Sequence, residues 1–268
     1  MIFLHTQSFP LYSLDRVFAL GKKAGFDGIE IMVTRHFDTQ DGKYIRELEK
    51  RHGIAVKGFC MQPGKEEDLI EPFEKVLSFF EGTMVNLNTQ GTLSFQYRKW
   101  IKNKVPSLAR QHNLLINRRN MPNKNIFGLI PERTGNSRYE LRETGNVCLD
   151  LSAFWASNKQ VMGTVGYFGD TLKHLYISNV HNGVFYMPLT KGILPLESYF
   201  TKLAQSHYRG DFTLKVASQN LPQGNEEELL HVLKESKKFF DQYFMGSKEK
   251  VDKRDKSRVD KAMGVKTG

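Results

Sequence analysis

The chain is poor in cysteine and has no long apolar run. Only two cysteines, Cys60 and Cys148, occur among its 268 residues, too few for a disulfide framework, so we expect reduced, buried thiols. No stretch reaches the roughly 18 apolar residues that a membrane helix requires, and the first ten residues contain neither a basic segment nor a cleavage-like site. These absences predict a soluble, cytoplasmic protein without a membrane partner.

Acidic residues are absent from residues 82–131, whereas this segment holds eight lysines and arginines. It supplies most of the net charge of +10, which favours an anionic partner. Aromatic residues alternate with the basic ones, a mixture that can stack bases and neutralise phosphates, so one interpretation is nucleic acid binding through residues 95–119. The simpler interpretation is an amphipathic helix that buries Phe95, Trp100 and Ile101 and exposes its lysines.

The last residues, 246–268, lack apolar periodicity and carry eight lysines and arginines against four acidic residues. This composition predicts a disordered basic tail after a main domain of residues 1–245. A free basic arm would attract nucleic acid in a salt-sensitive way without reading its sequence.

Short apolar runs alternate with amphipathic stretches along the main domain, which predicts an α/β fold with a parallel sheet and right-handed crossovers. Eight repeats favour closure into a (β/α)8 TIM barrel. The predicted strands are residues 2–5, 28–32, 54–61, 84–88, 114–117, 147–151, 172–178 and 212–216. The predicted helices are residues 14–23, 44–51, 67–80, 97–111, 196–207 and 226–244.

Two segments of the main domain give weaker patterns. Residues 126–144 contain Pro131, Gly135 and dense charge, which predict a short or interrupted helix. Residues 155–168 are rich in glycine and only weakly favour a helix. An open doubly wound sheet is the alternative fold, but no glycine-rich phosphate loop supports it.

Residues 175–195, LYISNVHNGVFYMPLTKGILP, resemble the strand 7 region of the xylose isomerase-like TIM barrels, a superfamily of sugar isomerases, epimerases and endonuclease IV. The usual pattern there is His-x-x-Asp, then His-x-Pro-Leu-Gly-x-Gly-x-Ile-Pro. In this chain Tyr176 replaces the first histidine, Asn179 the aspartate and Tyr186 the second histidine. The scaffold part of the motif is present and its metal ligands are not.

Three further segments carry the same resemblance. Residues 20–31 resemble the first helix and strand 2 with its glutamate, Glu30, and residues 146–154 resemble strand 6 with its aspartate, Asp150. Residues 194–216 resemble helix 7 and strand 8, where Lys215 replaces a metal-binding glutamate. The resemblance also implies a glutamate in strand 5, where this chain has Asn117.

Barrel enzymes place their chemistry at the carboxyl ends of the strands. We therefore expect a pocket with Glu30, Asp150 and Lys215 as catalytic candidates. The ligand-binding candidates are His5, Asn117, Arg118, Tyr176, Asn179, His181 and Tyr186, and Gln62 and Asn88 end their strands nearby. No metal ligand set and no cofactor are predicted.

The replacement of carboxylates by cations has two consequences. A lysine at position 215 would repel a dication, and we expect it to form an ion pair with Asp150 where the metal would sit. Arg118 and Arg119 directly follow strand 5, and guanidinium groups bind phosphate or carboxylate well. In the simpler interpretation, one arginine pairs with Glu132 or Glu140 and the other faces water.

Three functions remain open at this point. The leading one is a divergent, metal-free member of the superfamily that binds an anionic, sugar-phosphate-like ligand and is catalytically silent or altered. The second is an active sugar or sugar-phosphate isomerase or epimerase, with Glu30 as the proton-abstracting base and His5 or His181 as alternative bases. The third is a nucleic-acid-binding protein of the endonuclease IV type without nuclease activity. The oligomeric state is not predicted.

Overall fold

Eight parallel strands close into a barrel in a computed structural model of the chain, which describes residues 1–88, 95–121, 125–126, 130–131, 139, 141, 145–158 and 160–262. Each strand pairs with the next one in chain order, and the first pairs with the last. The strands are β1 Ile2–His5, β2 Gly28–Val33, β3 Val56–Met61, β4 Met84–Asn88, β5 Leu115–Arg119, β6 Val147–Asp150, β7 Leu172–Ile177 and β8 Asp211–Leu214. The predicted TIM barrel is confirmed, and every predicted strand overlaps an observed one.

Helices follow most strands and cover the outside of the barrel. They are α1 Leu14–Ala24, α2 Gly42–His52, α3 Glu66–Leu77, α4 Phe95–Asn103, α5 Val105–Gln111, α6 Leu151–Asn158, α7 Thr164–Phe168, α8 Leu196–Gln205, α9 Glu226–Phe240 and α10 Gly246–Ala262. The predicted helix over residues 97–111 is two helices, because Pro106 lies at the start of α5 and has no N–H to donate to the preceding turn. The predicted interruption within residues 126–144 falls almost wholly outside the described residues.

Helix α1 illustrates how local sequence determines an element. The Ser13 hydroxyl accepts a hydrogen bond from the backbone N–H of Arg16 at the start of the helix, which satisfies one of the donors left free in a first turn. Gly25 ends the helix at φ 82°, a left-handed conformation that glycine adopts without steric cost. The helix therefore ends at Ala24, and the chain turns there to begin β2 at Gly28.

Helix α4 corrects one prediction about the basic segment. Tyr97, Trp100 and Ile101 are buried, whereas Phe95 is 69% exposed. Positions three and four residues apart share a helix face, and Phe95 lies two residues before Tyr97, on a different face. The basic residues of α4 and α5 are exposed, as predicted: Arg98, Lys99, Lys102, Lys104 and Arg110. Their binding to nucleic acid stays a prediction.

The segment after α9 also departs from prediction. A π-helical turn, Asp241–Met245, connects α9 to α10, so residues 246–262 are helical rather than disordered. Helix α10 lies against α8, where the hydroxyl oxygens of Thr201 and Ser247 are 3.4 Å apart. Just after α8, His207 Nε2 lies 3.6 Å from Asp255 Oδ2. These contacts, which the composition alone does not reveal, order the segment. Residues 263–268 lie outside the described residues.

The cysteines and the helices agree with two expectations from composition. Cys60 and Cys148 are free and buried, which confirms the expected thiols. Within the described part of the chain, no helix combines the length and the apolar character needed to cross a membrane.

An aromatic cluster joins the barrel to its last helical segments. The Phe212 ring on β8 lies 4.8 Å from that of Phe240 and 4.6 Å from that of Phe244, centroid to centroid, in edge-to-face contact. All three residues are buried. Such contacts add to the free energy gained by burying large rings.

The first prediction concerns this cluster. Phe212→Ala should lower the free energy of unfolding by about 3 to 5 kcal/mol, because it removes a buried ring and leaves a cavity. Phe95→Ala is the control: it removes an exposed ring and should change that free energy by less than about 0.5 kcal/mol. Urea unfolding measures both, and similar losses in the two variants would contradict the packing described here.

Candidate functional site

Polar side chains occupy the inside of the barrel, because alternate residues of each strand face inward. The strand register places them at matching heights: Asn86 lies opposite Asn117, and Asn88 opposite Arg119. Each inward residue is 9% exposed or less: His5, Glu30, Cys60, Asn86, Asn88, Asn117, Arg119, Cys148, Asp150, His174, Tyr176, Thr213 and Lys215. The site is thus a set of buried polar groups that depend on one another for hydrogen bonds.

Glu30 on β2 is the acceptor at the centre of one network. Its Oε1 accepts hydrogen bonds from the Asn86 amide, at 2.9 Å, and from the Tyr176 hydroxyl. Its Oε2 accepts from the Thr213 hydroxyl at 2.6 Å and lies 3.5 Å from His174 Nε2. Both carboxylate oxygens are therefore fully engaged by groups from β4, β7 and β8.

This network keeps Glu30 ionised and makes it a poor base. Burial alone would raise the pKa of the carboxyl, but the hydrogen bonds from His174 and Thr213 outweigh it and hold the pKa well below its usual range. A general base works best when its pKa lies near the working pH and a lone pair faces the substrate. Glu30 meets neither condition.

His5 is fixed as a neutral imidazole. Its Nδ1 accepts a hydrogen bond from the backbone N–H of Gln7 at 3.0 Å, so the proton is on Nε2, which lies 3.4 Å from the Cys60 sulfur. Burial lowers the pKa of His5 to about 3. With its lone pair used by the backbone, His5 contributes a donor to the site and no basic nitrogen.

The predicted ion pair between Asp150 and Lys215 is present. Lys215 Nζ lies 2.9 Å from Asp150 Oδ2, and the two side chains are only 11% and 2% exposed. Asp150 Oδ1 accepts from the backbone N–H of Ala153 at 3.1 Å, and Oδ2 also accepts from the Tyr186 hydroxyl at 3.4 Å. The carboxylate has an ammonium, a phenol and an amide as partners.

Two tyrosine rings hold the lysine in place. Lys215 Nζ lies 4.6 Å from the ring centre of Tyr186 and 5.3 Å from that of Tyr176, within the range of cation–π attraction. Tyr186 has φ 59°, a conformation that is uncommon for a residue other than glycine. Burial raises the pKa of both phenols far above the usual range, so neither provides an anionic oxygen.

The arginine that faces the barrel interior is Arg119, not Arg118. Side chains alternate along a strand, and Asn117 faces inward, so Arg119 does too and Arg118 lies beside Leu87 on the outer face. Arg118, which the sequence suggests as a ligand-binding residue, therefore lies on the face of β5 opposite to Asn117 and Arg119. Arg119 is 1% exposed and donates to the Asn88 Oδ1.

Two other predicted ligand-binding residues do not reach the site. The Asn179 Oδ1 accepts from the backbone N–H groups of Val180 and Leu194, both at 2.9 Å, and its amide donates to the Leu189 carbonyl at 2.9 Å. Its side chain holds a loop, and both lone pairs of its oxygen are used by the backbone. His181 is exposed at the tip of a two-stranded hairpin, Asn179–His181 and Val184–Met187, because that hairpin carries it away from the barrel.

The metal that the resemblance implies does not fit the residues at the carboxyl ends of β5 to β8. Hard divalent ions need carboxylate oxygens or free imidazole nitrogens. Asn117 offers an amide, Asn179 is saturated by the backbone, and Asp150 already holds the Lys215 ammonium. Lys215 itself adds a positive charge where a dication would bind.

The described residues contain one further group with metal-binding atoms. The ligand atoms of His5, Glu30 and Cys60 lie within 4.8 Å of one another. Burial raises the pKa of the Cys60 thiol to about 11, the His5 lone pair is taken by Gln7, and both Glu30 oxygens accept hydrogen bonds. This group is organised as a hydrogen-bond network and not as a ligand set.

A cavity that the sequence did not predict lies outside this network, and none of the inward-facing residues named above lines it. It has a volume of about 710 Å³ and lies at the ends of β1, β2 and β3. Its wall combines aromatic rings with amide and hydroxyl groups, including Gln7, Phe9, Tyr12, Thr34, Phe37 and Gln62. Only Gln62 among these was expected near the pocket, because loop residues carry no strand periodicity.

The structure resembles solved sugar epimerases over almost its whole length. D-allulose 3-epimerase from Methylomonas sp. matches with a TM-score of 0.67 and 15% identity over 90% of this chain and 96% of that one. D-psicose 3-epimerase from Clostridium cellulolyticum matches with a TM-score of 0.67 and 14% identity over 91% and 99%. The chain shares the TIM barrel fold of these epimerases.

A nuclease-family protein shares this fold as well. The AP endonuclease, family 2, from Brucella melitensis matches with a TM-score of 0.60 and 18% identity over 85% of this chain and 96% of that one. No protein-family model and no curated protein matches the sequence. The likeness confirms the resemblance inferred from the four sequence segments, at the level of the fold.

The second prediction tests the ion pair. Lys215→Met should lower the free energy of unfolding by about 3 to 5 kcal/mol, because it leaves the Asp150 carboxylate buried without a counter-charge. The double variant Asp150→Asn/Lys215→Met should be more stable than Lys215→Met alone. Arg51→Met, which breaks an exposed 2.7 Å pair with Asp15, is the control and should cost less than about 1 kcal/mol. Equal losses in Lys215→Met and Arg51→Met, measured by urea unfolding, would argue against the pair.

The third prediction concerns pH. The folded pKa of His5 is about 3 against 6.5 for a free histidine, so between these values the unfolded chain binds a proton that the folded chain does not. The stabilisation is complete above pH 6.5 and is lost as the pH falls, by about 1.4 kcal/mol per pH unit. Glu30 acts in the same direction, but only below its ordinary pKa of 4.5.

The window from pH 4.5 to 6.5 therefore isolates His5. His5→Asn should reduce the slope of unfolding free energy against pH by about 1.4 kcal/mol per unit, as measured by urea unfolding at several pH values. His181→Asn, which replaces an exposed histidine, should leave the slope unchanged. A slope that is the same in the His5 variant and the parent would contradict the neutral, buried imidazole.

Proposed function

We propose that this chain is a divergent xylose isomerase-like barrel that acts without a divalent metal and binds an anionic, sugar-phosphate-like small molecule. The chain is catalytically inactive, or it catalyses a reaction other than metal-dependent isomerisation. The observation that carries the proposal is the 2.9 Å ion pair between Lys215 and Asp150. It occupies the position at which the resemblance implies a metal.

The Arg119 guanidinium supports an anionic ligand. Asp150 is paired with Lys215, and Glu30 accepts hydrogen bonds from Asn86, Tyr176 and Thr213. Arg119 forms no ion pair among the described residues, and its Nε and Nη1 have no hydrogen-bond acceptor there. A cation in a low-dielectric interior attracts an anion far more strongly than one in water.

The sugar-like part of the ligand rests on the structural neighbours. D-allulose 3-epimerase was solved with D-allulose, and D-psicose 3-epimerase with D-tagatose. The cavity of about 710 Å³ at the ends of β1, β2 and β3 has aromatic rings and amide groups in its wall, which suit a small polyhydroxylated molecule.

An active isomerase is less well supported. Proton abstraction beside a carbonyl needs a free base and an electrophile for the enediolate. Both oxygens of Glu30 accept hydrogen bonds, and the His5 lone pair is held by the Gln7 backbone. Asp150 is engaged by Lys215. Each candidate base inside the barrel is already occupied, and His181 is exposed on the hairpin away from the barrel.

The fourth prediction tests the absence of a functional metal. Protein dialysed against a chelator and then incubated with Mn²⁺ or Co²⁺ should retain below about 0.1 equivalent per chain, since Lys215 repels the ion. Elemental mass spectrometry gives the stoichiometry. Lys215→Glu is the matched variant, because it sets two carboxylates side by side and should raise the metal content.

The same preparations give the catalytic outcome. Deuterium exchange into D-fructose or D-allulose in heavy water, followed by NMR, should be absent with added Mn²⁺ or without it. A full equivalent of metal that Asp150→Asn removes, together with deuterium exchange, would overturn the proposal and favour the isomerase.

A further inference from the structure

We propose that Arg119 is the residue that binds the ligand's anionic group. The ligand also carries a hydroxyl group, which donates a hydrogen bond to the Asn117 Oδ1. This inference rests on the proposed function, because it names the chemistry that the same barrel mouth would recognise. Of the two arginines that the sequence offers for an anion, it selects Arg119, the last residue of β5, over Arg118.

The hydrogen bonds of Arg119 are incomplete. A guanidinium has five N–H donors, and the Arg119 Nη2 donates to the Asn88 amide oxygen and lies 3.6 Å from the Met121 sulfur. Its Nε and Nη1 are buried and find no acceptor among the described residues. Three of the five donors therefore have no partner, in a side chain that is 1% exposed.

A buried cation in this state needs an acceptor. Taking a charged group out of water costs several kcal/mol unless it is paired and hydrogen-bonded. The other cation that faces the interior, Lys215, is satisfied by Asp150 and by two tyrosine rings. The Tyr176 ring lies 5.1 Å from Arg119 Cζ, which stabilises the cation partly but offers no lone pair to its N–H groups.

Asn117 supplies the complementary group. It lies two residues before Arg119 on the same face of β5, and its amide donates to the Asn86 Oδ1 at 2.9 Å. Its own Oδ1 is buried and accepts no hydrogen bond from the described residues. The Cα atoms of residues i and i+2 in a strand are roughly 6 to 7 Å apart, so one small molecule can reach both.

The two groups together define a class of ligand. Arg119 supplies donors for a phosphate or carboxylate, and the Asn117 oxygen accepts a hydrogen bond from an O–H. A sugar phosphate and a sugar acid both meet this description, whereas a neutral sugar leaves Arg119 unpaired.

The fifth prediction separates these ligands and residues. D-fructose 6-phosphate, D-gluconate, inorganic phosphate and D-fructose are titrated into the full chain by calorimetry, and the melting temperature is recorded with each. At least one of the first two should bind and raise the melting temperature, D-fructose should do neither, and inorganic phosphate should bind more weakly than the hydroxylated anion.

The variants then locate the anchor. Arg119→Gln should lower the affinity for the anion by at least about tenfold, which corresponds to the loss of one charged hydrogen bond. It should also abolish the rise in melting temperature that the anion causes. Arg119→Lys should keep a weaker rise, because it retains the charge without the planar donors. Arg118→Gln changes the neighbouring residue on the opposite face of β5 and should leave the affinity within about twofold.

The outcomes distinguish this inference from the proposed function. Anion binding that persists at parental affinity in Arg119→Gln, even if that variant melts earlier in buffer, overturns the role of Arg119 alone. Loss of binding in Arg118→Gln and not in Arg119→Gln assigns the site to the outer face and overturns it as well. A parent chain that binds none of the anions, or binds D-fructose equally well, overturns the proposed function and this inference together.

Discussion

Polar groups inside a closed barrel have little access to water, so each must find its hydrogen-bond partners on other strands. Glu30 on β2 does so through β4, β7 and β8, and Asp150 on β6 through Lys215 after β8. These contacts join strands that are distant in sequence and across the barrel. The same contacts that satisfy the buried charges also determine which side chains remain able to react.

One consequence is that the charged groups inside the barrel differ in whether their hydrogen bonds are satisfied. The carboxylates are both satisfied, one by neutral donors and one by an ammonium, and His5 is held neutral. The Lys215 ammonium carries one positive charge and, being part of the chain, cannot dissociate from the site. It stabilises the Asp150 carboxylate but does not supply the Lewis acidity of a metal ion. Of the charged groups inside the described part of the barrel, Arg119 is the one with N–H donors that lack an acceptor.

The sequence predicted much of the scaffold because apolar strand runs and motif spacing depend on local order. It also predicted the pairing of Asp150 with Lys215, since both occupy recognisable motif positions. It failed where a result depends on three-dimensional context. The period of two along β5 places Arg119, and not Arg118, on the inward face, and applying it from Asn117 would have predicted that placement. The loop contacts of Asn179 and the packing of α10 against α8 have no signal in a single sequence.

Asn179 also determines which residues its position can accept. Its amide holds three backbone groups of the loop that follows, at Val180, Leu189 and Leu194, and the adjacent backbone at Gly192 approaches so closely that a β-carbon there would lie 2.3 Å from the Asn179 side chain. At the position where the resemblance implies a metal ligand, the Asn179 side chain holds the backbone of the following loop. An aspartate has no amide N–H to donate to the Leu189 carbonyl, so replacing Asn179 by aspartate alone would place a charge against that oxygen. The loop therefore requires an amide at this position, and a carboxylate there would need a second substitution that supplies a new donor to Leu189.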